Sequence, residues 1–142
     1  MGFWTWLLGG SPKPAPERPD FVNLPGLGTY TLDVVGESHY QDALNEICGG
    51  KSENGHHEIV QAFLIYEDNN AYDDQAIRVE IQGKVVGYLT RAVARDYRRQ
   101  MKEAAYENLP GVCSAKIVGG WDRGDGDAGS YGVKLDLRQH NE

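Results

Sequence analysis

Glu67, Asp68, Asp73 and Asp74 bracket the pair Asn69-Asn70 and the aromatic Tyr72. Carboxylates at this spacing can hold a divalent cation and support phosphoester hydrolysis, although acids in turns more often accept backbone N–H groups. Asp73 stands out among them. A carboxylate next to an aromatic ring, at the mouth of a strand, can accept a hydrogen bond from a sugar hydroxyl while the ring stacks on a base. A second group follows downstream. On a helix at 100° per residue, Arg91, Arg95, Arg98 and Lys102 fall within a stripe of roughly 60°, with Arg99 beside it. Between Arg91 and Glu107 five basic side chains stand against three acidic ones, about +2 locally, in a chain whose total is −7. Such a stripe suits a polyanion, and it is equally the ordinary wet side of an amphipathic helix.

These residues need elements to position them. Asn69-Asn70 tolerates left-handed and Asx-turn geometry, so the chain reverses after the apolar run 59–66. Ile77, Val79 and Ile81 then alternate with Arg78, Glu80 and Gln82, the period-two pattern of a half-buried strand. Gly83 turns the chain into a second strand over 84–89, a short hairpin. Thr90 caps a helix expected to run to Asn108 before Pro110, with Val93, Ala94, Tyr97, Met101 and Ala104 on its packing side. Upstream, 32–36 reads as a strand. Ser38-x-x-Gln41 fits a capping box for a short helix from about His39 to Cys48, stopped by Gly49-Gly50, and 51–58 reads as a loop. Strands over 112–118 and 131–137 complete the set, joined by the loop that carries Trp121.

The remaining motifs argue against other chemistries. Asp122, Asp125 and Asp127 miss the spacing and the distal Glu of an EF-hand loop. His56-His57 lies near Cys48 and Glu58, but adjacent histidines on extended chain point to opposite sides, so no metal site is expected from the pair. Cys48 and Cys113 have no CxxC spacing and read as small buried hydrophobes in a reducing cytoplasm. No nucleophile elbow, P-loop or HExxH pattern occurs, so no catalysis and no cofactor are expected. The net charge of −7 speaks against indiscriminate nucleic-acid binding, and any polyanion site must be local. No apolar run approaches the ~20 residues of a membrane span.

The domain organisation follows from composition. Residues 1–20 combine an aromatic tail, FWTWLL, with a run holding four prolines in SPKPAPERPD, an extended linker; residues 21–142 are one domain. With 40% apolar residues and 18 glycines, a compact, loop-rich β protein is expected.

The segment from Asn70 to Val79, NAYDDQAIRV, followed by Gly83 and then Val86-Gly87-Tyr88-Leu89, resembles the HIRAN domain pattern N-P-Y-D-x-N-A-I-x-V, G, V-G-x-L. Val34-Val35-Gly36 resembles that domain's opening. Ala71 stands where the family has Pro, and Gln75 where it has Asn. The resemblance implies a mainly β, small barrel-like fold with two helices, related to the oligonucleotide-binding fold. It also implies recognition of the 3′-hydroxyl end of single-stranded DNA, in repair or defence. By similarity Tyr72 would stack on the terminal base, Asp73 would accept the 3′-hydroxyl proton, and His39 and Tyr40 would form the opposite wall. Tyr88 and Arg91 would lie near the nucleotide backbone. Ser38 replaces the family's Arg before the aromatic pair. Arg95, Arg98 and Lys102 extend the cationic face. Two other functions stay open: a protein-interaction adaptor acting through FWTWLL or the Trp121 loop, and a metal-dependent phosphoesterase built on the four acids.

Overall fold

A computed structural model describes residues 19–138; the FWTWLL tail and most of the proline-rich run lie outside them. The chain runs β1 (Val22–Asn23), β2 (Leu32–Asp33), a 3-10 turn (Glu37–His39), α1 (Gln41–Cys48), β3 (His56–Tyr66), β4 (Ile77–Ile81), β5 (Lys84–Tyr88), α2 (Arg91–Glu103), β6 (Gly111–Gly119) and β7 (Tyr131–Asp136). The strands form one sheet in the order β2-β7-β6-β3-β4-β5, with β1 added in parallel to β6. Every other pairing is antiparallel. The fold is therefore mainly β with two helices, and its open sheet curls strongly into a half-barrel.

The curl has identifiable causes. Ile77, Val79 and Ile81 are fully buried while Arg78 and Glu80 are not, as their alternation predicts, and Leu64, Ile117, Val133 and Leu135 meet them from neighbouring strands. Each such side chain contributes ~1.5–3 kcal/mol by leaving water, so the sheet bends to bury them on one face. A bulge between β4 and β5, where Val79 pairs Gly87 but Glu80 pairs Val85, sharpens the bend. It brings β5 to the segment after β2. Val35 N–H donates to Tyr88 O and Tyr88 N–H to Val35 O, both at 2.8 Å, across the mouth of the half-barrel. Gly87 permits that approach, since a Cβ there would stand 2.7 Å from Val35 O.

Local structure departs from the sequence expectations in several places. The strand expected over 32–36 is regular only at Leu32–Asp33, and Val35 pairs instead with Tyr88 in an isolated bridge. The Ser38 capping box does not form: Gln41 spends its amide on Glu37 O, Tyr131 O and Tyr131 N, tying α1 to β7, and α1 starts without a side-chain cap. Strand β3 begins at His56, inside the stretch read as loop, because β6 offers a partner for every residue from His56 to Leu64. Helix α2 stops at Glu103 rather than Asn108. Ala105 adopts φ 63°, its N–H reaches Lys102 O, and Tyr106 N–H reaches Met101 O, a Schellman stop with alanine in the left-handed position. Among the described residues no helix is long and apolar enough to cross a membrane.

Candidate functional site

The turn between β3 and β4 is built as a rigid platform. Asn70 Oδ1 accepts the backbone N–H groups of Tyr72 and Asp73 at 2.8 and 3.0 Å, and Asn70 Nδ2 donates to Glu67 Oε1 at 2.8 Å. The Ala76 N–H then closes on Asp73 O. This is the Asx geometry that the Asn pair promised. Its effect is to hold Tyr72 out in solvent, 91% exposed, on a backbone that cannot easily collapse over its own ring.

Helix α2 clamps the platform from the other side. Thr90 Oγ1 accepts Val93 N–H, so the helix starts where the sequence places it. Arg91 Nη2 donates to Tyr72 O at 3.0 Å, and its Nε lies 3.6 Å from Asp73 Oδ2. Arg95 grips Asp73 with both terminal nitrogens, at 3.1 Å to Oδ1 and 3.3 Å to Oδ2. Gln75 N–H adds a third bond, to Oδ1 at 3.0 Å. These donors, Arg95 first and Gln75 next, hold the Asp73 carboxyl below its ordinary pKa. Asp73 is thus ionised and only 11% exposed, with Oδ1 filled and one lone-pair position left on Oδ2.

The cationic stripe divides on folding. Arg98 turns inward at 13% exposure: Nε donates to Gln75 O at 2.7 Å, Nη2 to Ala76 O and Nη1 to Asp68 Oδ1, both at 2.9 Å. Its plane sits 4.5 Å over the Tyr66 ring. Arg98 therefore holds the platform, with each of its three nitrogens engaged. Arg99 pairs with Asp96 and Glu103 on its own helix. Arg91, 70% exposed, and Arg95, at 47%, keep solvent-facing edges, and Lys102 is exposed ~10 Å beyond Arg95 along the axis.

Tyr40, one of the two residues expected at the opposite wall, packs beside Tyr88. The Tyr88 ring lies 6.5 Å from that of Tyr40, and its hydroxyl donates to both oxygens of Glu67 at 3.0 Å. Burial, then the Glu67 contact and Tyr40, push the Tyr88 phenol above its ordinary pKa. Glu67 thereby joins Tyr88 to Asn70, and through Asn70 to Tyr72 and Asp73. Sequence reading placed Glu67 only among possible metal ligands; its acid-turn position carried no hint of Tyr88, 21 residues away. Ser38 and His39 are exposed on the 3-10 turn that precedes Tyr40.

The four acids face different partners: Glu67 faces Tyr88 and Asn70, Asp68 faces Arg98, Asp73 faces Arg95, and Asp74 is exposed. Trp121 donates to Asp127 Oδ1 at 3.2 Å and packs over Gly129, so it organises its own loop. On the face of α2 turned from Asp73, a cleft of about 550 Å3 is lined by Val22, Leu24, Val93, Met101 and Leu137 among others. No family model, curated protein or solved structure matches the chain.

Proposed function

We propose that this chain is a HIRAN-like module that binds the 3′ end of single-stranded DNA and performs no chemistry on it. The observation that carries the reading is the Asx platform: an aromatic ring held in solvent, next to a carboxylate with one acceptor position left and two partly exposed arginines. Tyr72 stacks on the terminal base, a contact worth ~1–3 kcal/mol. Asp73 Oδ2 accepts the 3′-hydroxyl proton, and Arg91 and Arg95, whose exposed edges flank that oxygen, take the last phosphodiester. Arg98 serves by positioning, and Lys102 meets the backbone further along the strand. Tyr40 and Tyr88 wall the pocket, with Ser38 and His39 at its rim.

A labelled single strand of about ten nucleotides, within the usual site size, tests this by fluorescence anisotropy. A 3′-phosphate removes the donor and sets negative charge against Asp73, so it binds several-fold more weakly than the 3′-hydroxyl strand. Asp73→Asn abolishes that preference. Equal binding of both strands reduces the site to a general polyanion face.

The α2 cleft favours a second reading, an adaptor that receives an apolar protein segment. Absence of any DNA binding, with capture of a partner that Met101→Glu abolishes, makes it the better one.

A further inference from the structure

Helix α1 ends at Cys48, and Gly49, in the left-handed conformation, turns the chain away from it. Strand β3 begins at His56. Glu58 lies two residues on and shares its side of the strand, while the intervening His57 is exposed. The docking of α1 against the sheet brings Cys48 Sγ, a His56 ring nitrogen and a Glu58 carboxylate oxygen all within 4.8 Å of one another.

Both ring nitrogens of His56 have oxygen partners. Nε2 lies 3.0 Å from Gly50 O, a backbone carbonyl that only accepts, so Nε2 carries a hydrogen. A neutral ring then presents its Nδ1 lone pair, yet Nδ1 faces Glu58 Oε2 at 2.8 Å, which also only accepts. Either a proton on Nδ1 or a metal ion between the two atoms relieves this contact. A proton on Nδ1 satisfies the histidine and the glutamate but leaves the thiol outside. A metal ion satisfies all three donors. The Gly50 carbonyl is then the outer brace that metal-bound histidines typically have on their second nitrogen.

We propose that Cys48, His56 and Glu58 form a binding site for a divalent transition ion of the zinc class, with solvent completing the coordination. Sulfur, nitrogen and oxygen donors together suit Zn²⁺ or Co²⁺ and disfavour Mg²⁺ and Ca²⁺. Bonds of about 2.0–2.3 Å to such donors set tetrahedral edges of about 3.3–3.8 Å, within the 4.8 Å that bounds the three donor atoms but longer than the 2.8 Å between His56 Nδ1 and Glu58 Oε2. Glu58, the most exposed of the three, moves outward by about half an ångström to admit the ion. Burial first, and Glu58 second, push the Cys48 thiol up to about 11.

The test uses the full chain, tag-free and reduced, titrated with cobalt(II). The expected result is a thiolate-to-cobalt charge-transfer band with four-coordinate visible bands, all lost when zinc is added. Cys48→Ser removes the charge-transfer band, and Cys113→Ser, altering the other cysteine, keeps it. Glu58→Gln, a solvent-facing change that leaves the fold intact by circular dichroism, weakens cobalt at least tenfold and removes zinc's protection against thermal unfolding. No band in the unaltered protein overturns the proposal. So does a band that survives Cys48→Ser or disappears in Cys113→Ser, or an unchanged affinity in Glu58→Gln.

Discussion

Arg95 closes on Asp73 through two hydrogen bonds, Nη2 to Oδ1 at 3.1 Å and Nη1 to Oδ2 at 3.3 Å, across 22 residues of sequence. This pair joins the β3–β4 turn to helix α2, and it decides how much of the Asp73 carboxylate remains for a ligand. It also orients the arginine, so carboxylate and cation face solvent as one unit.

The pair makes stability depend on pH with a definite sign. A carboxyl held below its ordinary value of 3.8 contributes stability that is fully present above that value and is lost as pH falls through the lower, folded pKa. Asp73→Asn keeps an oxygen for Gln75 N–H but loses the charge. Urea unfolding should show the variant weaker at about pH 6 and the difference vanishing towards about pH 2. A gap constant across that range assigns the effect to packing instead.

Arg91 and Arg98 share one stripe and should behave oppositely. Arg98→Ala leaves Gln75 O without its donor, leaves Ala76 O with only the Glu67 N–H, and strips the face of Tyr66, at an expected cost of ~1–3 kcal/mol. Arg91→Ala removes a mostly exposed side chain and should stay within ~0.5 kcal/mol of the parent in the same urea series. Similar losses for the two would contradict the inward placement of Arg98.

On the proposed single-strand reading, Arg91 and Arg95 share the last phosphodiester and Lys102 meets a second phosphate. Single-strand affinity should then fall with a log–log salt slope of about −1.4, at ~0.7 per phosphate neutralised. Arg91→Ala should make that slope shallower by up to ~0.7, and an unchanged slope removes Arg91 from the interface.

Ala105 offers a stability gain. Its left-handed conformation at the end of α2 costs an alanine ~1 kcal/mol that glycine does not pay. Ala105→Gly should raise the unfolding free energy by roughly that amount, with single-strand affinity untouched. A lower melting temperature would show that the Schellman stop is not formed as described.

The hairpin of β4 and β5, the capped start of α2 and the Asx turn were all legible in the sequence, because each is dictated by neighbours within a few residues. Alternation places Ile77, Val79 and Ile81 on one face, and Thr90 reaches Val93 N–H within one helical turn. Strand β1 was not legible, since two residues carry no period and its partner lies near residue 111. The length of β3 and the end of α2 were misjudged for related reasons. Polar residues 56–58 join a strand because β6 pairs with them, and Ala105 stops a helix that its own propensity would have continued.

The candidate site divides along the same line. Residue types and helical spacing determined that this chain carries a cationic stripe, an exposed turn with Tyr72 and Asp73, and a histidine and a glutamate two apart at Glu58. Only the tertiary structure decided that Arg98 is consumed by the carbonyls of Gln75 and Ala76 while Arg91 keeps an edge in water, that Glu67 ties Tyr88 to the turn, and that Cys48 meets His56. Periodicity fixes the direction in which a side chain leaves its own helix or strand. What it meets there depends on which carbonyl, carboxylate or ring another element brings to within about 3 Å, and that is set by how the curled sheet buries its apolar face.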